Sequence, residues 1–149
     1  MFCHAARLFA LVSVFAATLT AAAQNSLVLN PPAGSKATGK HVVLLSGDEE
    51  YRSEEALPML AKILSQRHGF KTTVLFSLGA DGTIDPTNGK SLADSEALDT
   101  ADIIIMSLRF RLWTDEAMAR FDAAYRRGVP MIALRTSTHA FNFPAASKW

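Results

Sequence analysis

The chain has 149 residues, a length that allows one domain. Its 15 Lys and Arg residues nearly balance its 14 Asp and Glu residues, which argues against a nucleic-acid-binding protein, since such proteins normally carry a basic excess. The single cysteine, Cys3, lies in an N-terminal segment that we expect to be removed. The mature chain then contains no disulfide, no cysteine nucleophile and no thiolate metal ligand.

Residues 1 to 23 have the pattern of a secretory signal peptide. Arg7 supplies the positive start, residues 8 to 23 are almost entirely apolar, and three alanines at positions 21 to 23 suit a signal peptidase. The apolar stretch of about 16 residues is short for a membrane-spanning helix, which needs about 20. We therefore predict a secreted or periplasmic protein, with cleavage after Ala23 and no membrane attachment afterwards.

The remaining chain predicts a linker followed by an α/β domain. Residues 24 to 40 are rich in Pro, Gly and small polar residues, which is typical of a linker, and the domain covers residues 41 to 149. Four apolar runs in it are typical of strands buried on both faces, as a parallel sheet requires; they cover residues 41–46, 72–76, 102–106 and 131–134. Helical patterns separate these runs, so we predict a doubly wound parallel sheet, with the four strands in the usual order 2-1-3-4.

Two helices are indicated by their caps and by apolar spacing. The first ends at Gly69, and Pro58, which has no amide hydrogen, is expected in its first turn. The second follows Thr114 as N-cap and stops at Gly128. Its buried face is expected at Met118, Phe121 and Tyr125.

Polar residues follow the first, third and fourth of these predicted strands. In an open α/β sheet, ligands bind outside the carboxyl ends of the strands, where the strand order reverses. The residues that we expect to gather there are Gly47, Asp48, Glu49, Glu50, Tyr51, Arg52, Arg109, Arg111, Arg135, Thr136, Ser137, Thr138 and His139. The sequence therefore predicts one crevice, lined by acids and arginines, as the functional site.

Each of these side chains also has a purely structural interpretation. The acids can be solvated loop residues. Arg109 directly follows a buried strand, so it should pair with an acid or hold a ligand, whereas Arg111 is expected to be exposed. His139 is a general base, a metal ligand or a packing residue. The acids and His139 lack the regular spacing of a metal site, so we assign no metal, and the sequence identifies no cofactor.

Four stretches carry a resemblance to a known family. They are Ser-Gly-Asp-Glu-Glu-Tyr-Arg-Ser-Glu-Glu at residues 46–55, Arg-His-Gly-Phe at 67–70, Leu-Arg-Phe-Arg at 108–111 and Leu-Arg-Thr-Ser-Thr-His-Ala-Phe at 134–141. In order and spacing they resemble the ThuA-like (trehalose-utilisation) family of the class I glutamine amidotransferase-like superfamily. The resemblance implies a flavodoxin-like, three-layer α/β/α sheet, of which this chain is the N-terminal part, incomplete at the C-terminus. It also implies a link to sugar metabolism.

One position departs from the superfamily pattern. Its nucleophilic Cys stands on the sharp turn after the strand that corresponds to residues 131–134, and ThuA-like proteins often show a His there. The matching residue here is Arg135, which stays protonated and cannot attack a carbonyl, so we predict no glutaminase activity. Ser137 is a poor candidate for a hydrolase nucleophile, because Arg135 and His139 occupy the glycine positions of the Gly-x-Ser-x-Gly turn.

Three functions remain open at this point. The first is a secreted ThuA-like protein that binds or processes a small molecule, a carbohydrate, with ligand contacts from Gly47, Glu50, Tyr51, Arg52, Arg109, Arg135, Thr136 and Ser137. The second is a non-catalytic interaction domain that keeps the fold. The third is a hydrolase in which Asp48 or Glu49 works with His139 and an activated water. The sequence does not indicate an oligomeric state.

Overall fold

A computed structural model describes residues 25–149, so the predicted signal peptide at residues 1–23 lies outside the described residues. The strands are β1 (Leu27–Leu29), β2 (His41–Gly47), β3 (Lys71–Leu75), β4 (Ile103–Leu108) and β5 (Met131–Ala133). The helices are α1 (Ser53–His68) and α2 (Asp115–Arg126), with 3₁₀ helices at Ser95–Thr100 and Arg135–His139. No helix within residues 25–149 has the length and apolar character needed to cross a membrane.

The five strands form one mostly parallel sheet in the order β1-β3-β2-β4-β5. β2 pairs in parallel with β3 on one side and with β4 on the other, and β5 pairs in parallel with β4. The four predicted strands are therefore confirmed, and so is their order 2-1-3-4. The fold is α/β and compatible with a flavodoxin-like sheet, with the strand order reversing between β2 and β4.

β1 was not expected, because it lies within the segment that the sequence predicted to be a linker. Leu27, Val28 and Leu29 pair antiparallel with residues 72 to 74 of β3. Three apolar residues are too short a run to stand out among Pro and Gly, but the open edge of β3 supplies partners for their backbone groups. Part of the segment 24–40 is therefore an edge strand of the sheet rather than a linker.

The central strand β2 has a hydrophobic cluster on each side. All seven of its residues are buried. Successive side chains of a strand point to opposite faces, so Val42 and Leu44 pack in a cluster with Leu57 of α1, whereas Val43 and Leu45 pack in a cluster with Met118 of α2. Full burial of one such aliphatic side chain stabilises a fold by roughly 1.5–3 kcal/mol, which explains why an uninterrupted apolar run was a sound predictor of a central strand.

Helix α1 starts earlier than its sequence signals indicated. It begins at Ser53, so Pro58 lies in the second turn rather than the first. The start is set by contacts with the end of β2 and the loop after it: the Ser53 hydroxyl lies 2.9 Å from that of Ser46 and accepts from the Asp48 amide at 2.9 Å. The predicted end is confirmed, with Gly69 in the left-handed conformation at φ 73°.

Helix α2 is capped as predicted but buries a slightly different face. The Thr114 hydroxyl accepts from the Ala117 amide at 3.3 Å. Met118 is buried and Phe121 is partly buried, whereas Tyr125 is 67% exposed, contrary to the prediction. Ala124 is buried instead, because the buried face of the helix passes through Ala124 and not through its neighbour Tyr125.

The strand β5 is less buried than its apolar sequence predicted. It pairs with β4 alone among the described residues, so it forms an edge of the sheet. Ile132 is 49% exposed, and Ala133 is also exposed. The prediction of a strand buried on both faces is therefore wrong for β5, since burial depends on neighbours that an apolar run cannot reveal.

Candidate functional site

The loops that follow β2, β4 and β5 start at the same edge of the sheet. The pairing of β2 with β4 runs to Gly47 and Leu108, and the Arg109 amide donates to the Gly47 carbonyl at 2.9 Å. On the other side of β4, the Leu134 amide donates to the Met106 carbonyl at 2.8 Å. The predicted residues at these three strand ends, called the strand-end site below, are therefore brought together.

Arg111 is the most buried cation of the strand-end site, with only 3% of its surface exposed. Its Nε donates to the Arg109 carbonyl at 2.6 Å, its Nη1 to the Pro86 carbonyl at 2.9 Å, and its Nη2 to Glu49 Oε2 at 2.9 Å. One guanidinium thus connects the loops after β2, β3 and β4. The expectation that Arg111 is exposed is wrong, because its charge is compensated inside the cluster rather than by water.

Burial lowers the pKa of the Arg111 guanidinium, and the nearby carboxylates of Glu49 and Asp48 oppose that shift. A nearby signal for this buried arginine is Gly47, which the sequence analysis placed among the ligand contacts. A Cβ at Gly47 would lie 2.9 Å from Arg111 Cδ, so only glycine lets the arginine stem cross the end of β2. Gly47 therefore acts through packing and makes room for Arg111.

Arg109 also pairs with acids, as its structural interpretation proposed. It forms ion pairs with Glu49 and, at 3.2 Å, with Glu50. The side chains of Arg109 and Glu49 are each 30% exposed, while that of Glu50 is 52% exposed. Glu49 is therefore shared by two arginines, whereas about half of the Glu50 side chain remains exposed to solvent.

Asp48 has no exposed surface. Its Oδ1 accepts from the amides of Glu50 at 3.1 Å and Tyr51 at 3.3 Å, and its Oδ2 accepts from the Thr136 hydroxyl. The loop after β2 is thereby attached to the loop after β5. Asp48 is not a solvated loop acid, and in this conformation its carboxylate has no surface with which to touch a ligand.

The hydroxyl of Ser137 is occupied by backbone groups of β4. It donates to the Met106 carbonyl at 3.0 Å and accepts from the Leu108 amide at 3.0 Å, and the residue is buried. These two bonds extend the pairing beyond the short strand β5. Ser137 therefore serves as a connection between loop and strand, and none of the described residues places a nitrogen base in contact with its oxygen.

His139 packs against an aromatic ring at the strand-end site. It is exposed, its ring centre is 4.9 Å from that of Phe110, and its Nδ1 lies 3.3 Å from the Thr138 hydroxyl. Across residues 25–149, no hydrogen bond or ion pair joins His139 to a carboxylate, and no group of three or more His, Cys, Asp or Glu side chains is placed to hold a metal ion. The catalytic roles of Asp48, Glu49 and His139 therefore stay a prediction.

Tyr51 and Arg135 form the outer rim of the strand-end site. The Arg135 guanidinium carbon lies 3.8 Å from the centre of the Tyr51 ring, and Tyr51 is 43% exposed. Arg52 is also at the rim, but its charge pairs with Glu55 of α1. The rim thus offers an aromatic face and a guanidinium side by side.

Backbone strain is concentrated at the same place. Among residues 25–149, four non-glycine residues have positive φ; two belong to the strand-end site, Arg52 at 50° and Arg135 at 53°, and a third, Phe110 at 51°, lies between its residues Arg109 and Arg111. Such conformations cost about 1 kcal/mol or more each, and they persist where the surroundings hold them, often at functional sites. The loops are therefore held in shapes that their local sequences do not favour.

The strand-end site has an inner layer of ion pairs and hydrogen bonds, and an outer rim with open polar surface. Two surface cavities of the described chain lie elsewhere: one of about 370 Å³ beside Met59 and Ile63 of α1, and one of about 230 Å³ beside Leu27 and Phe76. Comparisons with protein-family models, curated proteins and solved structures found no match to this chain. The geometry of the strand-end site is therefore the main guide to function.

Proposed function

We propose that this chain is an exported ThuA-like protein that binds a carbohydrate at the strand-end site and has no glutaminase activity. The observation that carries the proposal is the open rim at the carboxyl ends of β2, β4 and β5, where Tyr51, Glu50 and Arg135 stand above a fixed inner layer. This rim lies where ligands bind in open α/β sheets. The parallel order of β3, β2, β4 and β5 is compatible with the fold that the resemblance implies.

The side chains of the rim suit a polyhydroxylated ligand. Carboxylate and guanidinium groups form paired, charge-assisted hydrogen bonds, which match the neighbouring hydroxyls of a sugar. Glu50 contacts Arg109 through one oxygen and keeps about half of its side chain exposed, so it has acceptor capacity left. The half-exposed ring of Tyr51 offers an apolar face of the kind that small-molecule sites use.

The conformation of Arg135 supports its match to the superfamily's nucleophile position. One residue, Leu134, separates Arg135 from the end of β5. The φ of Arg135 is 53°, as a sharp turn requires. An arginine at that turn has no nucleophile to offer. The proposal includes helices on both faces of the sheet. It also includes a further strand beside β5, because Ile132 of that edge strand is 49% exposed.

The state of the carboxylates favours binding over catalysis. Asp48 is fully buried, Glu49 is held by Arg109 and Arg111, and His139 packs against Phe110 with the two rings tilted by 35°. A general base must reach the proton it removes, directly or through one water. This arrangement therefore supports a binding protein more than a hydrolase with an acid–His pair.

Isothermal titration of residues 24–149 against a panel of mono- and disaccharides tests the proposal. We expect saturable binding of at least one sugar, weakened tenfold or more by Tyr51→Ala and Glu50→Gln. Lys62→Ala, on α1 beside the 370 Å³ cavity, is the matched control and should bind as the wild type does. Binding of a different ligand class with no sugar bound would contradict the proposal.

The exported state has its own test. The full chain, expressed with its leader in a secreting host, should be recovered outside the cytoplasm with Gln24 as its first residue. The intact mass of the purified protein identifies that first residue, whether or not the N-terminal glutamine has cyclised to pyroglutamate. A recovered chain that still starts at Met1 would contradict export by cleavage.

A further inference from the structure

The arginines of the strand-end site differ in how their charges are compensated. Arg109 and Arg111 pair with Glu49, and Arg109 pairs with Glu50 as well. Arg135 takes part in none of the ion pairs formed within residues 25–149. Its guanidinium carbon instead lies over the Tyr51 ring, 3.8 Å from the ring centre. Arg135 is therefore a rim cation whose charge is not compensated by an acid of the described chain.

The stacking leaves the hydrogen-bonding edge of Arg135 available. A cation–π contact uses the face of the guanidinium and contributes about 0.5–1 kcal/mol at an exposed site. The N–H groups lie in the plane of the guanidinium and point away from that face, in a fork that matches a carboxylate or a phosphate. Tyr51 thus holds the cation in place without satisfying its donors.

The backbone on both sides of Arg135 is anchored to β4 and to Asp48. The Leu134 amide donates to the Met106 carbonyl at 2.8 Å, the Thr136 hydroxyl donates to Asp48, and Ser137 bonds to Met106 and Leu108 as described above. These anchors hold Arg135 at φ 53°, a conformation that a free chain would leave. The backbone of Arg135 is therefore set before any ligand arrives, and the contact with Tyr51 places the guanidinium, which together reduce the ordering cost of binding.

We propose that Arg135 binds the anionic group of an acidic carbohydrate, so that the ligand is a sugar acid or a sugar phosphate rather than a neutral sugar. This inference rests on the proposed carbohydrate function of the same site. The anionic group sits on the in-plane edge of the Arg135 guanidinium, and the hydroxyls of the sugar face Glu50 and Tyr51. Arg135 is then the residue that determines specificity for charge.

The test compares matched ligands by isothermal titration of residues 24–149. The series is glucose, glucuronate and glucose 6-phosphate, with acetate and inorganic phosphate as anions without a sugar. We expect glucuronate or glucose 6-phosphate to bind at least tenfold more tightly than glucose. Tighter binding of glucuronate would identify a carboxylate as the anionic group that Arg135 recognises, and tighter binding of glucose 6-phosphate would identify a phosphate. Acetate and inorganic phosphate should bind at least tenfold more weakly than the corresponding acidic sugar.

The variants assign the preference to Arg135. Arg135→Gln should remove the preference, so that the acidic sugar binds no more tightly than glucose does to the same variant, while Arg135→Lys should keep part of the preference because it keeps the charge but not the fork. Arg67→Gln, an exposed arginine at the end of α1, is the control and should bind as the wild type does. If Arg135→Gln does not fold, Arg135→Lys is used in its place, with its fold checked by circular dichroism. A preference for the acidic sugar as strong as that of the wild type would then contradict the role of the Arg135 fork.

The outcomes separate this inference from the proposed function. Equal binding of glucose and the acidic sugars, unaffected by Arg135→Gln, would overturn the charge specificity and leave carbohydrate binding intact. Binding of acetate or phosphate as tight as that of the acidic sugars would also overturn it, since no sugar would then be recognised. No binding of any sugar, neutral or acidic, would overturn the proposed function itself.

Discussion

Arg111 Nη2 lies 2.9 Å from Glu49 Oε2, and this ion pair joins the loop after β4 to the loop after β2. The same guanidinium reaches the Pro86 carbonyl at 2.9 Å in the loop after β3. Three loops that follow neighbouring strands therefore share one buried cation. The rim of the strand-end site rests on this connection, so its removal should affect both stability and ligand binding.

Arg111→Ala should lower the free energy of unfolding by about 3 kcal/mol, because it removes one partner of a largely buried ion pair and leaves Pro86 without its donor. Arg126→Ala is the control: Arg126 pairs with Asp122 on the surface, with 76% of its side chain exposed, and should cost at most about 0.5 kcal/mol. Urea denaturation followed by circular dichroism measures both. Equal losses for the two variants would show that Arg111 does not hold the loops.

Gly47→Ala should be destabilising where Gly89→Ala is not. A Cβ at Gly47 would lie 2.9 Å from Arg111 Cδ and 3.1 Å from Leu108 Cδ2, whereas one at Gly89 would meet only the Phe110 carbonyl, at 3.5 Å. Overpacking of this kind costs about 1–3 kcal/mol, while an alanine without strain is close to neutral or stabilises by less than about 1 kcal/mol. Thermal unfolding of the two variants makes the comparison, and a tolerated Gly47→Ala would contradict the proposed close approach.

The contact between Asp48 and Thr136 should appear as coupling in a double-mutant cycle. Asp48→Ala leaves two backbone amides without an acceptor and should cost about 2–3 kcal/mol, and Thr136→Val should cost about 1 kcal/mol. The double variant should lose less than the sum by about 1 kcal/mol, because the shared bond is removed once. Thr138→Val, at an exposed threonine, is the control and should not couple to Asp48→Ala.

His41 should make the fold less stable as the pH falls. Burial lowers the pKa of His41 most strongly, and Lys71 lowers it further, against the raising effects of Thr100 and Asp102. The ring nitrogens lie 3.0 Å from the Thr100 hydroxyl and 2.8 Å from that of Thr73. The unfolded chain therefore binds a proton at its ordinary pKa of about 6.5 before the folded chain does, and stability is lost below that pH.

His41→Gln tests this pH dependence, because Gln keeps a donor and an acceptor but does not titrate. Between pH 7.5 and pH 5.5, the wild type should lose more unfolding free energy than His41→Gln does. The exposed His68 supplies the control, and His68→Gln should follow the wild-type profile. Parallel profiles for the wild type and His41→Gln would contradict the prediction.

The local sequence pattern predicted most of the sheet. It missed features that depend on contacts with other parts of the structure. The apolar runs led to β2, β3, β4 and β5, because strands in a parallel sheet are rich in continuous apolar sequence, and the usual arrangement of a doubly wound sheet supplied their order. β1 was missed since three residues carry little pattern, and the exposure of Tyr125 was missed since it depends on what lies opposite the helix. Pro58 misled the prediction because Ser53 starts α1 through contacts with Ser46 and Asp48.

For the strand-end site, the sequence alone determined which residues gather, because the carboxyl ends of parallel strands share one edge. The same list of residues said nothing about which charges are compensated. Only the tertiary structure decided that Arg111 is buried against Glu49, that Asp48 is closed off by Thr136, and that Arg135 stays open above Tyr51. Charge compensation is a matter of a few ångströms between residues far apart in the chain, and local sequence does not encode that distance.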